Sequence, residues 1–102
     1  MDTIYLLRDQ IGKYKIGFTK HNTEKRIKSL QTGNSGDLEI IYEFKTNHKR
    51  KLETSLHNRF KYSHYNREFY SLSDTEVSNF IETCNIIEKG LDSLKASYNK
   101  FY

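Results

Sequence analysis

With 102 residues, the chain is long enough for one compact domain and too short for two ordinary ones, and its 35% hydrophobic and 14% aromatic residues argue against disorder. The formal net charge of +4 is uneven: residues 74–102 hold three lysines and five acidic residues, so residues 1–73 carry +6 and suit a polyanionic partner. The sequence shows neither a signal peptide nor a membrane-length apolar run, so we expect a soluble, intracellular protein with no membrane partner.

The first predicted element is a β-hairpin formed by residues 3–8 (TIYLLR) and 13–18 (KYKIGF). The first segment is rich in bulky side chains. The second alternates apolar with basic or small residues, which is the two-residue period of a half-buried strand. A three-residue loop between Asp9 and Lys13 would place Gly12 in the left-handed conformation that such loops favour.

The length of this loop sets the register of the hairpin. If Asp9 pairs with Lys13, counting back along both strands places Tyr5 opposite Gly17, with Lys15 diagonal to Tyr5 on the same face. A loop with an even number of residues would place Tyr5 and Lys15 on opposite faces. The bare glycine would leave space over the sheet for a ligand to approach the phenol.

Five further elements are predicted downstream of the hairpin. They are a helix that begins after Asn22 and ends at Gly33, a strand over 37–45, a helix over 47–60, an extended segment over 67–72 and a C-terminal helix over about 74–100. The strand is expected to direct four residues to the core: Leu38, Ile40, Tyr42 and Phe44. The second helix repeats an apolar residue every four positions: Leu52, Leu56 and Phe60. Residues 73–76, Ser-Asp-Thr-Glu, have the spacing of a capping box.

These elements predict an α/β fold of the α+β type, with a small, three-stranded, mainly antiparallel sheet flanked by helices. A single domain is expected over 1–102, with its core at about 3–83. The lone cysteine, Cys84, lies among apolar residues and is expected to be a buried, inert thiol. The four histidines lack the spacing of a structural zinc site.

Two polar residues border the apolar stripe of the second helix. Glu53 lies at the edge of the stripe, and His57 follows one turn later. A carboxylate in this position needs a partner, because desolvating a charge is costly. That partner is either a salt-bridging lysine or arginine or a divalent metal. In the first helix, Arg26 similarly borders the inward-facing Ile27.

Four residues form a coherent set for hydrolysing a phosphodiester bond: Tyr5, Lys15, Arg26 and Glu53. The glutamate can hold one Mg²⁺ whose other ligands are water and phosphate oxygens, and the arginine can bind the phosphate. A tyrosine phenol has a reference pKa of about 10, so it acts as a general base only where nearby cations favour the phenolate. The lysine and the arginine would supply those cations.

In their order and spacing, these motifs resemble the GIY-YIG nucleases. The first half-motif appears as Thr3-Ile4-Tyr5 and the second as Lys15-Ile16-Gly17, where many members have Tyr-Ile-Gly. Together with KYKIGFTK, RIKSLQTGN, LETSLHNRF and REFYSL, they are similar to the compact branch of the family that occurs in phages and large DNA viruses. The resemblance covers residues 3–83 or so.

The resemblance implies a DNA endonuclease with one Mg²⁺ or Mn²⁺ per site, which leaves 5′-phosphate and 3′-hydroxyl ends. Position by position, it makes Tyr5 the catalytic tyrosine, Arg26 the phosphate-binding residue and Glu53 the metal ligand. Lys15 replaces the second tyrosine of the family and would polarise Tyr5, contact phosphate or do both. Substrate contacts are expected at four further positions: Gly17, Lys20, His57 and Asn66. For His57 the alternative is helix packing or support of another site residue, and for Asn66 it is a surface turn. Glu68 and Tyr70 are alternatives to Asn66.

The second hypothesis is a catalytically inactive nucleic-acid-binding module of the same fold. The presence of Tyr5, Arg26 and Glu53 together favours the enzyme. The protein is expected to act on DNA as a monomer or homodimer, in the cytoplasm or nucleus, including that of a cell infected by a virus or phage.

Overall fold

The computed structural model describes residues 1–20, 25, 38–66 and 69–96. Along these residues lie strands β1 (Asp2–Arg8), β2 (Tyr14–Thr19), β3 (Glu39–Thr46), β4 (His64–Asn66) and β5 (Phe69–Tyr70), and helices α1 (Lys49–Arg59), α2 (Asp74–Ser78) and α3 (Phe80–Ala96). A 3₁₀ turn, Lys61–Ser63, joins α1 to β4. The helix predicted to end at Gly33 lies outside the described residues, apart from Lys25.

The five strands form one antiparallel sheet in the order β3-β1-β2-β5-β4. The α+β prediction is confirmed in outline, but the expectation of three strands was wrong. The two additional strands, β4 and β5, have only three and two residues. Segments this short cannot display the two-residue period from which strands are predicted.

The turn of the first hairpin has the three-residue loop that the sequence predicts. Gly12 has a φ of 83°, and the Asp9 N–H donates to the carbonyl of Lys13 at 2.9 Å. The Asp9 carboxylate also accepts the N–H groups of Ile11 and Lys13, at 3.1 and 2.8 Å. Asp9 therefore closes the loop with both its backbone and its side chain.

The register that follows from this turn is confirmed. Tyr5 pairs with Gly17, and Leu7 pairs with Lys15. Because side chains alternate along a strand, Tyr5, Lys15 and Gly17 share one face of the sheet. The opposite face carries Ile4 and other residues of the main core.

The main core lies between the sheet and helices α1 and α3. Leu52 and Leu56 of α1 are fully buried in this core, as their four-residue spacing predicts. Phe80 and Cys84 are also fully buried in it. Burial, together with the nearby Glu88 carboxylate, raises the pKa of the Cys84 thiol to about 12, so this thiol stays protonated and inert. Within the described residues, the helices are too short or too polar to span a membrane.

A β-bulge in β3 divides its apolar residues between the two faces of the sheet. Leu6 pairs with Tyr42, but Leu7 pairs with Ile40, so Ile41 is the extra residue. Leu38 and Ile40 therefore pack beside Tyr5 and Leu7 on the second face. The main core receives the three others: Ile41, Tyr42 and Phe44. The expectation that residues 38, 40, 42 and 44 share one side was wrong, because a bulge reverses the alternation.

The predicted C-terminal helix is divided in two by Asn79, and its capping box is present. Ser73 Oγ accepts the N–H of Glu76, and the Glu76 carboxylate accepts the N–H of Ser73. Gly90 does not end α3, which continues to Ala96.

The last helix is tied to the loop that precedes α1 through a group that we call the Glu88 clasp (Thr46, Asn47, His48, Glu88 and Asp92). The Glu88 carboxylate accepts the Thr46 hydroxyl and, at 2.9 Å, the N–H of Asn47. His48 Nε2 lies 2.7 Å from Asp92 Oδ1. The bond from Thr46 to Glu88 is buried, whereas the bonds of Asn47 and His48 are part-buried, because Asn47 and Asp92 are exposed at the surface.

The clasp predicts a specific loss of stability. Glu88→Ala leaves the buried Thr46 hydroxyl and the Asn47 N–H without their acceptor, so we expect the free energy of unfolding to fall by about 1–3 kcal/mol. Urea unfolding followed by circular dichroism measures it. Glu82→Ala, an exposed position on the same helix, should change stability little. Equal losses in the two variants would contradict the role of the clasp.

Candidate active site

A cleft of about 290 Å³ lies at the edge of β2. Strand β2 pairs with β1 along its whole length, but β5 pairs only with Tyr14 and Lys15. Among the described residues, no strand covers this edge of β2 beyond Lys15. The cleft is lined by Tyr5, Lys15, Ile16, Gly17, Phe18, Glu53 and His57.

Tyr5 reaches the cleft by crossing over Gly17. A Cβ atom at position 17 would lie 2.6 Å from Tyr5 Cζ and 2.9 Å from Cε1, and closer still to the hydroxyl. The ring is therefore seated directly on the glycine, and Tyr5 is only 1% exposed. The space over Gly17 was expected to receive a ligand. Instead it is filled by the tyrosine that would act on the ligand.

Helix α1 supplies the opposite wall of the cleft. Leu52 and Leu56 point into the main core, so Glu53 and His57, each one residue further along, lie at the edge of the buried stripe. Both are half-buried and both line the cleft, one helical turn apart. The helical spacing had predicted this position at the rim of the stripe.

His57 is held by both of its ring nitrogens. Nε2 lies 3.2 Å from the carbonyl oxygen of Ile16, and Nδ1 lies 3.0 Å from the Tyr70 hydroxyl. A carbonyl oxygen only accepts, so Nε2 carries the hydrogen. The acceptor is a backbone atom at the open edge of β2, and no side-chain pattern in the sequence reports such a contact.

Tyr70 contributes a polar group to the site from β5. Burial, and secondarily the negative charge of Glu53, raises the pKa of the Tyr70 phenol above its usual value. The phenol is therefore protonated at neutral pH and donates to Nδ1 of His57. Asn66 was expected to contact substrate, with Glu68 and Tyr70 as its alternatives. Asn66 is exposed on β4, and Glu68 lies outside the described residues. Tyr70 is the one in contact with the site.

Lys15 is buried on the same face as Tyr5, with its Nζ 5.9 Å from the centroid of the Phe69 ring. Lys20 is exposed just after β2 and, like Asn66, does not line the cleft. Arg26 lies outside the described residues. Five of the eight predicted site residues thus meet in the cleft: Tyr5, Lys15, Gly17, Glu53 and His57.

Glu53 is the only carboxylate among the described residues that line the cleft. A single carboxylate in an open cleft fits Mg²⁺, which binds few protein ligands and keeps water or phosphate oxygens in its remaining positions. Of the described residues, one group of three could hold a metal by itself, and it lies elsewhere in the Glu88 clasp: His48, Glu88 and Asp92. Both oxygens of Glu88 there already accept hydrogen bonds from the protein.

Comparison with known proteins gives one match. A protein-family model described as the T5orf172 domain matches residues 2–85, most of the chain, and this range includes every residue of the cleft. It is not a model of the GIY-YIG nucleases themselves. No curated protein and no solved structure was found to be similar.

The seat of Tyr5 on Gly17 can be tested by a double-mutant cycle. We expect Gly17→Ala to lower the free energy of unfolding by about 1–3 kcal/mol, because the new methyl group overlaps the tyrosine ring. In a Tyr5→Ala background the same change should cost little, since the space is then free. Chemical denaturation of the four proteins measures the coupling.

Gly90→Ala is the matched control for this cycle. Apart from the backbone of its own helix and its two chain neighbours, a Cβ at Gly90 meets no described atom within 4 Å. The substitution should therefore stabilise the protein by up to about 1 kcal/mol. Additive effects of the two changes at positions 5 and 17 would show that the contact is absent.

The raised pKa of Tyr70 predicts the pH dependence of this part of the site. The ultraviolet titration of the wild type minus that of Tyr70→Phe should give a phenol that ionises above pH 10. In Glu53→Gln this pKa should fall partway, because burial remains. The stability that Tyr70 contributes should be complete below its unfolded pKa and lost as the pH rises through the folded value. Ionisation of Tyr70 at or below pH 10 would contradict the assignment.

Proposed function

The chain belongs to the T5orf172 domain family, and on that premise we propose that it is a metal-dependent DNA endonuclease. The domain is found in phage proteins and is related to the GIY-YIG and HNH-type nucleases. The observation that carries the proposal is the meeting of a tyrosine, a buried lysine and a glutamate in one cleft: Tyr5, Lys15 and Glu53. The excess of basic residues in 1–73 supports a polyanionic substrate.

In the proposed reaction, water attacks the phosphorus atom and the bond from phosphorus to the 3′ oxygen breaks. The phenolate of Tyr5 takes the proton of the attacking water, and the departing 3′ oxygen takes a proton from solvent. The products carry 5′-phosphate and 3′-hydroxyl ends. The positive charge of Lys15, on the same face of the sheet, attracts the phosphate toward Tyr5.

Glu53 would hold the metal. When bound, Mg²⁺ or Mn²⁺ supplies Lewis-acid stabilisation of the charge that develops on the phosphate oxygens. Arg26 is proposed to bind the same phosphate and to strengthen its contact as that charge grows. His57 has both ring nitrogens in hydrogen bonds, to Ile16 and Tyr70, so we assign it a positioning role at the floor of the cleft.

One observation favours the second candidate function, a module that binds DNA without cutting it. Tyr5 is 1% exposed, and its ring packs beside Leu7, Leu38 and Ile40. A phenol that only packed against the sheet would have the same surroundings. The two functions share the basic surface and differ in whether the Tyr5 hydroxyl meets a water molecule in the cleft.

Cleavage of supercoiled plasmid separates the two functions. We expect nicked or linear product with Mg²⁺ or Mn²⁺ and none with EDTA. Glu53→Gln should abolish cleavage while DNA affinity is unchanged or improved, since one negative charge is removed. Tyr5→Phe should lower the rate by about 100-fold or more, because the general base is lost.

Glu82→Gln removes the same charge from an exposed position on α3 and should cleave like the wild type. A folded protein that binds DNA but fails to cleave it, whichever divalent metal is added, would establish the binding module instead. Full cleavage by Glu53→Gln would assign the metal to another carboxylate.

A further inference from the structure

Two tyrosines outside the cleft are unusually exposed. Tyr62, in the 3₁₀ turn after α1, is 91% exposed, and Tyr65, on strand β4, is 52% exposed. Large aromatic side chains normally bury most of their surface, because each removes an extensive apolar area from water. Two such rings presented to solvent three residues apart therefore indicate a surface that something else covers.

Each exposed ring carries a lysine over its face. Lys13 Nζ lies 4.4 Å from the centroid of Tyr65, and Lys61 Nζ lies 5.1 Å from the centroid of Tyr62. We call these four residues the lysine–tyrosine surface. The face of the ring opposite its lysine offers a stacking platform to a nucleic-acid base, while the ammonium group attracts the phosphate that follows the base.

The Lys13–Tyr65 half of the lysine–tyrosine surface continues from the candidate active site. Lys13 directly precedes β2 and lies two residues from Lys15 of the cleft, which is the spacing of side chains on one face. Lys15 lies over the ring of Phe69, its partner on β5, and Lys13 lies over Tyr65 on the next strand. Lysines and aromatic rings thus alternate from the cleft toward the β4 edge of the sheet.

We propose that this surface binds an unpaired stretch of DNA, with bases stacked on Tyr62 and Tyr65 and phosphates contacting Lys13 and Lys61. Bases within a duplex already stack on one another and present only their edges, so exposed rings discriminate in favour of single strands. The inference rests on the proposed function for the identity of the nucleic acid. It deepens that function by naming the substrate class as DNA with an unpaired segment beside the scissile phosphate.

Binding can be measured without cleavage. In EDTA, fluorescence anisotropy of a labelled oligo-dT and of a duplex of the same length gives the two affinities. We expect the wild type to prefer oligo-dT at equal salt. Tyr65→Ala should weaken oligo-dT binding about fivefold or more, while Tyr65→Phe, which keeps the ring, should bind like the wild type. Ile86→Ala, an exposed apolar position on α3, is the control and should change nothing.

The chain has no tryptophan, so stacking can be observed directly. In Tyr65→Trp and Tyr62→Trp, the single indole should lose fluorescence when oligo-dT is added, because a stacked base quenches it. Ile86→Trp should keep its fluorescence at the same saturation. Unquenched tryptophans, together with wild-type affinity in Tyr65→Ala, would overturn the proposal.

The outcome for this surface is separate from that for catalysis. Quenching by oligo-dT with no cleavage under any divalent metal would uphold the DNA surface and overturn the endonuclease. Metal-dependent cleavage without quenching and without preference for single strands would uphold the endonuclease and overturn the DNA surface.

Discussion

The register of the first hairpin determines which side chains reach the cleft. Asp9 and Gly12 close a three-residue loop, and that loop pairs Tyr5 with Gly17. Because successive side chains point to opposite faces, a slip of one residue would turn Tyr5 into the main core and bring Ile4 to the second face. A turn that lies outside the cleft thus determines which side chains of the hairpin face the cleft. The carboxylate of Asp9, which closes this turn, is therefore needed to position the Tyr5 phenol.

Helix α1 packs against this hairpin. Adjacent residues of the helix contribute to the main core and to the cleft. Burying Leu52 and Leu56 contributes about 1.5–3 kcal/mol each, and the same packing holds Glu53 and His57 at the edge of the sheet. The helix cannot rotate without exposing its apolar stripe. The site is consequently positioned by hydrophobic burial. The contact of His57 with the Ile16 carbonyl then fixes the distance between the helix and β2.

Local signals predicted much of this arrangement. The loop length predicted the pairing of Tyr5 with Gly17, and helical spacing predicted the place of Glu53 at the rim of the core. What could not be predicted depends on contacts between distant segments. The bulge at Ile41 has no signature in composition, and the two-residue strand that brings Tyr70 to His57 is too short to show a period. The ring of Tyr5 fills the space over its partner glycine, a packing choice that alternation alone does not reveal.

The Glu88 clasp includes residues that lie beyond the segment matched by the family model. The family match ends at residue 85, whereas the carboxylates that secure the loop before α1 come from Glu88 and Asp92. A recombinant chain cut at the family boundary would keep each residue of the cleft and lose the anchors of the helix that supplies Glu53 and His57 to it. The contacts that secure the loop before α1 therefore extend beyond the segment that the family model matches. Designs that transplant this domain into other proteins should take their C-terminal limit from the end of α3.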